Sequence, residues 1–536
     1  MGVSTLAVSC TPRPVRVASV HDGQSDPATS LHVTGSVRYE YRTLTPQGYS
    51  ATPSVSVARF VTVEALNAQG EVIARGETDR AGQYDLSVRV PAARIRAWAS
   101  VKHGRHCDAQ RQCEPTMHID VTTDGQGQQP YAIEQAIESN QRADLLVTLA
   151  EPGSLGGAFH VLDTLVTGML TVHQWSQREL PPFFVIWTHA SGADWSYYRG
   201  ERPRGSRRYA LELMGGEAQR LNTTDADEHD IFIVLHEFGH FVFDQLSSDS
   251  SIGGHHPATV LTDPGVAFEE GRATWFACAV LGDSRYRDAV GIAPHGSLRQ
   301  DDETEQLAPD ALRGLGSQRT VEEILWDLSD GTLADRSTPL PDRDNDGVAL
   351  GPAAVFRAML PLRESDTLPS IITLSRHIVR QGLVSAPTMQ RLFEHPVSHG
   401  LQLPPDGAPE PWPRTLLPGE IARAKCDGRT NPAPSGGRAH PVNGYDAVQT
   451  YRVVVTQRAR LQATLAIRGS GGRGDHSDLD LELRDHRANL VRAASGLTAT
   501  ERLDEALEPG SYYLYVRDGG DGNSANFQLE YALTPR

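Results

Sequence analysis

The sequence predicts a multidomain fold in which a central α+β domain is flanked by two all-β sandwich domains. The chain has 536 residues, which is too long for one hydrophobic core. Apolar and polar residues alternate from residue 31 to about 125 and again from 443 onward, as half-buried strands require. Between 140 and 400 the apolar spacing becomes helical. These three observations define the predicted domains.

Composition excludes several classes of protein. The net charge is -17, with 67 acidic against 50 basic residues, which argues against binding to nucleic acid or to anionic membranes. No run of eighteen apolar residues occurs, so no transmembrane segment is predicted. The apolar fraction of 39% and the charged fraction of 22% are ordinary for a globular protein. The composition fits a soluble protein that binds cations.

Residues 1–30 are polar and rich in turn residues, and we interpret them as a tether or the remnant of a signal peptide. The stretch "LAVSC" loosely resembles the cleavage box of bacterial lipoproteins, which would make Cys10 a lipid anchor. Cys107 and Cys113 enclose the short polar loop "DAQRQ" and are expected to form a disulfide if the protein is exported. The predicted location is therefore secreted or on the cell surface, with anchoring through Cys10 as one alternative.

Residues 31–125 alternate in polarity and are interrupted by the turn signals "NAQG" and "DRAG". The opening "VTGSV", the turn from Thr78 to Tyr84 and a closing strand near Ile95 to Val101 carry a resemblance to carboxypeptidase regulatory and collagen-adhesin B-type domains. The resemblance implies a β-sandwich. It leaves open whether this domain is an inhibitory prosegment or a binding module.

The central segment, 140–400, is predicted to combine helices with two buried strands. Helical spacing is expected in "IEQAIESNQRADLLVTLAE", "AFHVLDTLVTGMLTVHQWSQR", "DADEHDIFIVLHEFGHFVFDQL", "VAFEEGRATWFACAVLGD", "TVEEILWDLSDG" and "SIITLSRHIVRQ". "PFFVIWTHA" and "YALELMGG" are predicted strands. Either strand is a candidate edge for pairing with an extended peptide, although the first is more typical of a core strand.

Residues 401–442 are rich in Pro, Gly and Ala and are predicted to be a linker. From 443 to 536 strands return, including "DLDLELRD" at 478–485, "LEPGSYYLYV" at 507–516 and "FQLEY" at 527–531. These stretches resemble the bacterial pre-peptidase C-terminal domain. The resemblance implies a β-sandwich attached to a secreted peptidase.

The stretch "VLHEFGHFVFD" at 234–244 places His236, Glu237 and His240 among large apolar residues. Helical residues four apart lie about 40° apart around the axis, so both imidazoles can reach one ion. Glu237 is rotated by about 100° from His236 and can contact a water on that ion. This H-E-x-x-H arrangement resembles the zinc peptidases, and the resemblance implies Zn²⁺ as the cofactor and Glu237 as the general base.

Zinc in such a site needs a third protein ligand. Phe243 and Leu246 occupy the glycine and third histidine positions of the extended H-E-x-x-H-x-x-G-x-x-H pattern, so the site is not of the metzincin type. "AFEEGRATWFA" resembles the second ligand helix of the gluzincins, which implies Glu270 as the third ligand. Four other residues are alternative third ligands: Glu269, Asp263, His255 and His256.

Relatives of thermolysin commonly carry an aspartate four residues after the ligand glutamate, but Thr274 stands here. The sequence therefore leaves three aspartates as candidate acceptors for a ligating histidine: Asp244, Asp263 and Asp327. His255 and His256 are the candidate donors to the oxyanion of a tetrahedral intermediate. Weaker candidates for that role are Tyr197, Tyr198 and Arg272.

"PDRDNDGVAL" places Asp342, Asp344 and Asp346 in the spacing that begins a calcium loop. Ala353 stands at the twelfth position, so an EF-hand is not completed. An oxygen-rich Ca²⁺ site is one interpretation, and a solvated acidic turn is the other. Asp475, Asp478 and Asp480 offer the same choice in the last domain.

The predicted function is that of a secreted zinc-dependent endopeptidase acting on a protein or glycoprotein substrate. A surface adhesin or carbohydrate-binding protein with an inactive zincin-like domain is the alternative, and its β domains would then contact the cell surface or carbohydrate. A metal hydrolase acting on a non-peptide bond is the third. The intact Glu237 favours the peptidase.

Overall fold

A computed structural model describes most of the chain. The described residues are 31–107, 113–137, 141–149, 155–189, 195–200, 202–203, 206–216, 225–253, 256, 260–292, 297–301, 313–331, 347–394, 400–427, 448–469, 478–518 and 524–536. Several predictions lie outside these ranges. They concern residues 1–30 with Cys10, His255, the calcium loop with Asp342, Asp344 and Asp346, and Asp475.

The described helices all precede residue 395. They are α1 (Gly156–Ser176), α2 (Ile231–Leu246), α3 (Pro264–Leu281), α4 (Gln318–Asp327), α5 (Pro352–Met359), α6 (Ile371–Arg380) and α7 (Ala386–Glu394). Among the described residues, no helix is both long and apolar enough to cross a bilayer.

The strands fall into an N-terminal set and a C-terminal set. The first comprises β1 (Leu31–Tyr41), β2 (Leu44–Thr45), β3 (Gly48–Tyr49), β4 (Ser54–Val57), β5 (Val61–Leu66), β6 (Val72–Glu77), β7 (Gln83–Val88), β8 (Arg94–His103), β9 (His106–Cys107), β10 (Cys113–Glu114), β11 (Met117–Thr122), β12 (Ala132–Ala136), β13 (Leu145–Val147), β14 (Phe183–Trp187), β15 (Tyr197–Tyr198), β16 (Tyr209–Leu213), β17 (Arg285–Ala289) and β18 (Ser297–Asp301). The second comprises β19 (Arg414–Thr415), β20 (Ala422–Asp427), β21 (Val448–Val455), β22 (Ala459–Gly469), β23 (Leu479–Arg484), β24 (Leu490–Ala494), β25 (Thr500–Leu507), β26 (Gly510–Asp518) and β27 (Ser524–Pro535).

The N-terminal strands and the central segment share one sheet, so the predicted boundary near residue 125 does not separate two cores. The strand order is β15-β16-β14-β11-β8-β5-β6. β11 pairs in parallel with β14, which joins the two predicted domains through backbone hydrogen bonds. One apolar core accordingly runs from Val33 to Leu401. The prediction of a separate β-sandwich over 31–125 is therefore wrong. The strand β11 of this segment pairs with β14, which lies about sixty residues further along the chain.

Residues 133–151 were predicted to be helical, and this prediction is wrong for 133–137 and 141–149, the part that the structure describes. They contain β12, which pairs with β8, and β13, which pairs with β1. Both sheets offer an available edge at these positions, and pairing with a sheet edge outweighs a weak local helical preference. The other helical stretches predicted in the central segment contain α1, α2, α3, α4 and α6.

Small residues allow the central helices to approach closely. A Cβ on Gly239 of α2 would lie 3.3 Å from the Cα of Ala273 in α3. A Cβ on Gly271 of α3 would lie 2.6 Å from the carbonyl oxygen of Gln318 at the start of α4. These close approaches bring the histidine helix and the glutamate helix into direct contact.

The C-terminal region is a β-sandwich, and it begins earlier than the sequence predicted. One sheet has the order β19-β21-β26-β23-β24 and the other β20-β27-β22-β25, and both contribute to one apolar core. β19 and β20 lie within residues 401–442, which were predicted to be a linker. Cys426 of β20 is fully buried in this core. Pro418 and Gly419 form a turn between β19 and β20, closed by a hydrogen bond from the Glu420 N–H group to the Leu417 carbonyl.

The sandwich packs against the central region next to α3. Thr450 of β21 donates a hydrogen bond from its hydroxyl to Asp263, 3.2 Å away. Leu368 and Trp412 pack with Tyr513 and Tyr515 of β26 in a small apolar cluster. The interface therefore lies close to the start of the helix that carries Glu270.

Cys107 and Cys113 form the expected disulfide.

Candidate metal centre

The helix α2 begins where its sequence indicates. Asp230 caps it, because the Asp230 carboxylate accepts hydrogen bonds from the backbone N–H groups of Phe232 and Ile233. The apolar residues of α2 are buried and include Val234, Leu235, Phe238, Phe241, Val242 and Phe243. His236 and His240 lie on the remaining face, where their side chains are 12% and 16% exposed. Burial of the apolar face thus leaves both imidazoles at the boundary with solvent.

The helix α3 brings Glu270 to these two imidazoles. Asp263 caps α3 and Pro264 occupies its first turn, a combination that favours helix initiation. Glu270 Oε2 lies 3.2 Å from His236 Nε2 and 3.4 Å from His240 Nε2. The two Nε2 atoms lie 3.1 Å apart. The structure therefore brings together the three residues that the sequence analysis proposed as zinc ligands.

Glu269 points away from this group. Its Oε1 accepts hydrogen bonds from the backbone N–H and the hydroxyl of Ser250, both at 2.9 Å. Its other oxygen forms a buried ion pair with Arg272. Adjacent helical residues differ by about 100° around the axis, so only one of two neighbouring glutamates can face the histidines.

Arg272 is not in the cleft, so its suggested role as an oxyanion donor is excluded by its position. The side chain is fully buried and its guanidinium lies over the ring of Phe243, 4.4 Å from the centroid. It also donates to the carbonyl of Ser248. The charge of Arg272 therefore compensates the charge of the buried Glu269 carboxylate.

His236 has a partner on α3 that the sequence analysis did not choose. Its Nδ1 lies 3.0 Å from the hydroxyl of Thr274, four residues after Glu270. Asp244 instead accepts a hydrogen bond from the hydroxyl of Tyr198, 2.6 Å away, and Asp263 caps α3. Thr274 thus occupies the position at which relatives of thermolysin carry an aspartate. Glu270 and Thr274 both contact His236, because they lie on the same face of α3.

We expect Thr274→Val to weaken zinc binding by about 10- to 100-fold, since partners that orient a ligating histidine have effects of this size. Valine keeps the shape of threonine and removes only the hydroxyl. The measurement is competition against a chromophoric zinc chelator. Thr274→Ser, which keeps the hydroxyl, should retain most of the affinity, and an equal loss in both variants would contradict the assignment.

His256 also reaches the site. Its Nε2 lies 3.1 Å from Glu270 Oε1, the carboxylate oxygen that does not face the other two imidazoles. The structure therefore places His256, a predicted oxyanion donor, beside a predicted ligand. His255, its neighbour in the same prediction, lies outside the described residues.

Glu237 is held by the edge of the large sheet. Its Oε2 accepts a hydrogen bond from the backbone N–H of Tyr198, 2.8 Å away, and the residue is 8% exposed. Tyr198 belongs to β15, which ends the sheet in the part of the chain that the structure describes. The predicted edge strands are placed differently: "PFFVIW" forms the interior strand β14, and "YALEL" forms β16 next to the edge.

The group of imidazoles and carboxylates attracts positive charge. Burial by itself lowers the pKa of His240, but the carboxylates of Glu270, Glu237 and Asp249 together outweigh it and raise that pKa to about 9. Burial would raise the pKa of Glu270, yet the imidazoles of His256 and His240 hold it well below its usual range. A cation, either a proton or a metal ion, is therefore favoured between these side chains.

The three donor atoms fit a zinc ion. Ligands about 2.0 Å from a tetrahedral zinc are separated from one another by about 3.3 Å, and the three separations here are 3.1, 3.2 and 3.4 Å. Two imidazole nitrogens with one carboxylate oxygen is a donor set typical of catalytic zinc, which keeps a fourth position open. The residues present therefore match this metal in number, chemistry and spacing.

The site opens into a cleft of about 1070 Å³. Glu237, His240, His256 and Glu270 line it, with Tyr197 and Tyr198 from β15. The opposite wall belongs to the C-terminal sandwich and contains Arg484, Arg487, Ala488, Asn489 and Leu490. A cleft of this size lies at the upper end of the range typical of ligand-binding pockets.

Two further cleft residues were missed from the sequence. Asp249 lies in the loop after α2 and lines the cleft; its carboxylate contributes to the raised pKa of His240. Leu490 is 54% exposed and comes from a segment 250 residues after His240. No local pattern indicates either residue, because each is brought to the site by a turn or by domain packing.

No protein-family model matches the chain, and no curated protein matches it at a significant level. Among solved structures, 22% of the chain is similar to the pre-peptidase C-terminal domain of a collagenase from Bacillus anthracis, with 13% identity, 92% of that domain covered and a TM-score of 0.17. A β-glucosidase from Paenibacillus barengoltzii is similar over 94% of this chain and 70% of its own, with 11% identity and a TM-score of 0.14. TM-scores this low support no conclusion about function, which rests on the site itself.

Proposed function

We propose that this protein is a zinc-dependent endopeptidase with a zincin-like site of the gluzincin type. The observation that carries the proposal is the spacing of three donor atoms, from His236, His240 and Glu270, at 3.1 to 3.4 Å. That spacing matches a tetrahedral zinc. Three protein ligands leave a fourth position open for water, and Glu237 lies beside them. Both features favour a catalytic zinc site over a structural one.

Each residue has a defined part in the proposed reaction. When bound, zinc supplies a Lewis acid that lowers the pKa of a water molecule and polarises a carbonyl group. Glu237 accepts the proton of the attacking water and delivers it to the leaving amine. The N–H group of Tyr198 fixes the Glu237 carboxylate at 2.8 Å, so the base is oriented before substrate arrives. His256, whose Nε2 lies 3.1 Å from Glu270 Oε1 and which lines the cleft, is the proposed donor to the developing oxyanion.

The proposed substrate is an extended segment of a protein or glycoprotein. Tyr197 and Tyr198 of the edge strand β15 line the cleft, where an extended peptide would lie beside them. The sandwich wall contributes Arg487 and the exposed Leu490, which would contact side chains of the substrate. The disulfide between Cys107 and Cys113 supports a location outside the reducing cytosol.

The test is to measure metal content and cleavage together. We expect about one zinc per chain by elemental analysis, and cleavage of unfolded casein that stops with a zinc chelator and returns when zinc is restored. Absence of zinc from the purified protein and failure to bind added zinc would overturn the proposal. Bound zinc without cleavage of any protein or glycoprotein in a panel would favour the adhesin or carbohydrate-binding alternative.

A further inference from the structure

A second group of carboxylates lies just before the histidine helix. Asp225 and Asp227 precede α2, and Asp288 is in β17. One ligand oxygen from each of the three lies within 4.8 Å of the others. The three meet because Asp225 forms an isolated β-bridge with Val290, which lies sixty-five residues further along the chain.

Of these carboxylates, Asp227 is buried and Asp225 and Asp288 are half-buried. Asp227 is 4% exposed, and the Oδ1 atom of Asp288 is shielded from solvent without a hydrogen-bond partner among the described residues. Burial, followed by the charge of Asp225, raises the pKa of Asp227 well above its usual range. Buried carboxylates at this separation repel one another unless protons or a cation compensate their charge.

An independent feature points to a ligand here, namely the hydroxyl of Tyr49. Tyr49 is fully buried, and its hydroxyl has no hydrogen-bond partner within the described part of the chain. Its ring packs against Ala226 and Ala289, which are the neighbours in sequence of all three carboxylates. The Tyr49 ring also lies edge-on to the ring of His229, with the centroids 6.0 Å apart, so Tyr49 is enclosed by the segments that carry the carboxylates. Burial, followed by the charges of Asp230, Asp227 and Asp225, raises the pKa of its hydroxyl well above the usual range. A buried hydroxyl without a partner is costly.

We propose that Asp225, Asp227 and Asp288 bind one calcium ion, and that the Tyr49 hydroxyl accepts a hydrogen bond from a water ligand of that ion. All the available ligands are oxygens, which suits a hard cation. Calcium tolerates an irregular set of carboxylates and waters, whereas magnesium requires near-ideal octahedral geometry. The site is distinct from the acidic segment at 342–346, and it does not depend on the proposed peptidase activity.

The ion would stabilise the helix that carries the zinc ligands. Asp230, two residues before Phe232, caps α2 with one oxygen and accepts a hydrogen bond from the backbone N–H of Ala289 with the other, 3.1 Å away. The aspartate cluster thus spans the start of α2 and the end of β17. A cation there joins two segments that are distant in sequence, which raises the stability of the folded state by mass action.

The experiment is a calcium titration of the zinc-loaded full chain, followed by thermal unfolding and by calorimetry. At a calcium concentration about 100-fold above its dissociation constant, we expect the unfolding midpoint to rise by about 5 °C. Asp227→Asn and Asp288→Asn should remove this rise while they leave the zinc content unchanged. Asp344→Asn is the matched control, since it removes one carboxylate from the other acidic segment, and it should keep the rise.

Three results would overturn the proposal: no calcium response in the natural sequence, a full response in both asparagine variants, or loss of the response in Asp344→Asn alone. If the asparagine variants do not fold, Tyr49→Phe decides the question, because it preserves the packing. It should weaken calcium binding by about tenfold, a size typical for loss of a partner just outside the ligands. Unchanged affinity in that variant would count against the site.

Discussion

Glu237→Gln is expected to lower kcat for peptide hydrolysis by about 10²- to 10⁴-fold, the usual contribution of a general base. Glutamine cannot accept the proton of the attacking water. Its amide oxygen can still accept the hydrogen bond from the N–H group of Tyr198, which now binds Oε2 of Glu237 at 2.8 Å. The variant should therefore fold and keep its zinc, and only the chemical step should fail. Steady-state kinetics on a fluorogenic peptide, with zinc analysis of the same sample, provides the measurement.

Glu71→Gln is a suitable control, since Glu71 lies on an exposed turn of the N-terminal strands, far along the sheet from β15. It should leave kcat unchanged. If Glu237→Gln retains full activity, Glu237 is not the base. If it loses both zinc and activity, the Glu237 side chain contributes to zinc binding. The proposal that the histidines of α2 bind zinc and Glu237 acts only as the base is then wrong.

Glu270→Gln should weaken zinc binding by more than about 100-fold, since loss of a ligand costs more than loss of a partner outside the ligands. The change removes the carboxylate that faces His236 and His240 at 3.2 and 3.4 Å. It also removes the negative charge that favours a cation among the imidazoles. The zinc affinity of each variant is measured by chelator competition, and activity should disappear at limiting zinc and return in part at high zinc.

The neighbouring residue supplies the control. Glu269→Gln changes a carboxylate that binds Ser250 and Arg272 inside the protein, so it should lower stability and leave zinc affinity near that of the natural sequence. Loss of zinc in Glu269→Gln with retention in Glu270→Gln would reverse the assignment of the third ligand.

Much of the site was predictable because its parts are local. The spacing of His236 and His240 on an apolar helix follows from helical geometry alone. The same geometry separates Glu270 from Glu269, whose side chains leave α3 in different directions. It also places Thr274 one turn after Glu270, on the face from which its hydroxyl reaches His236.

The domain boundaries were less predictable. Alternating polarity identified the N-terminal strands, but it did not show that β11 pairs with β14. Proline and glycine in 401–442 suggested a linker, yet β19 and β20 in this segment belong to the sandwich. The partner of a strand depends on which sheet edge is available in the folded protein, and composition does not indicate which edge that is.

The sequence by itself determined the periodic elements and the side chains on each of them: two imidazoles and a carboxylate on α2, and a carboxylate and a hydroxyl on α3. The tertiary structure alone decided what surrounds them. It placed the N–H group of Tyr198 on Glu237, the wall from the C-terminal sandwich across the cleft, and Asp225 beside Asp288. The reason is physical, because bond geometry fixes side-chain directions over a few residues, whereas contacts across a hundred residues depend on how all the elements pack into one core.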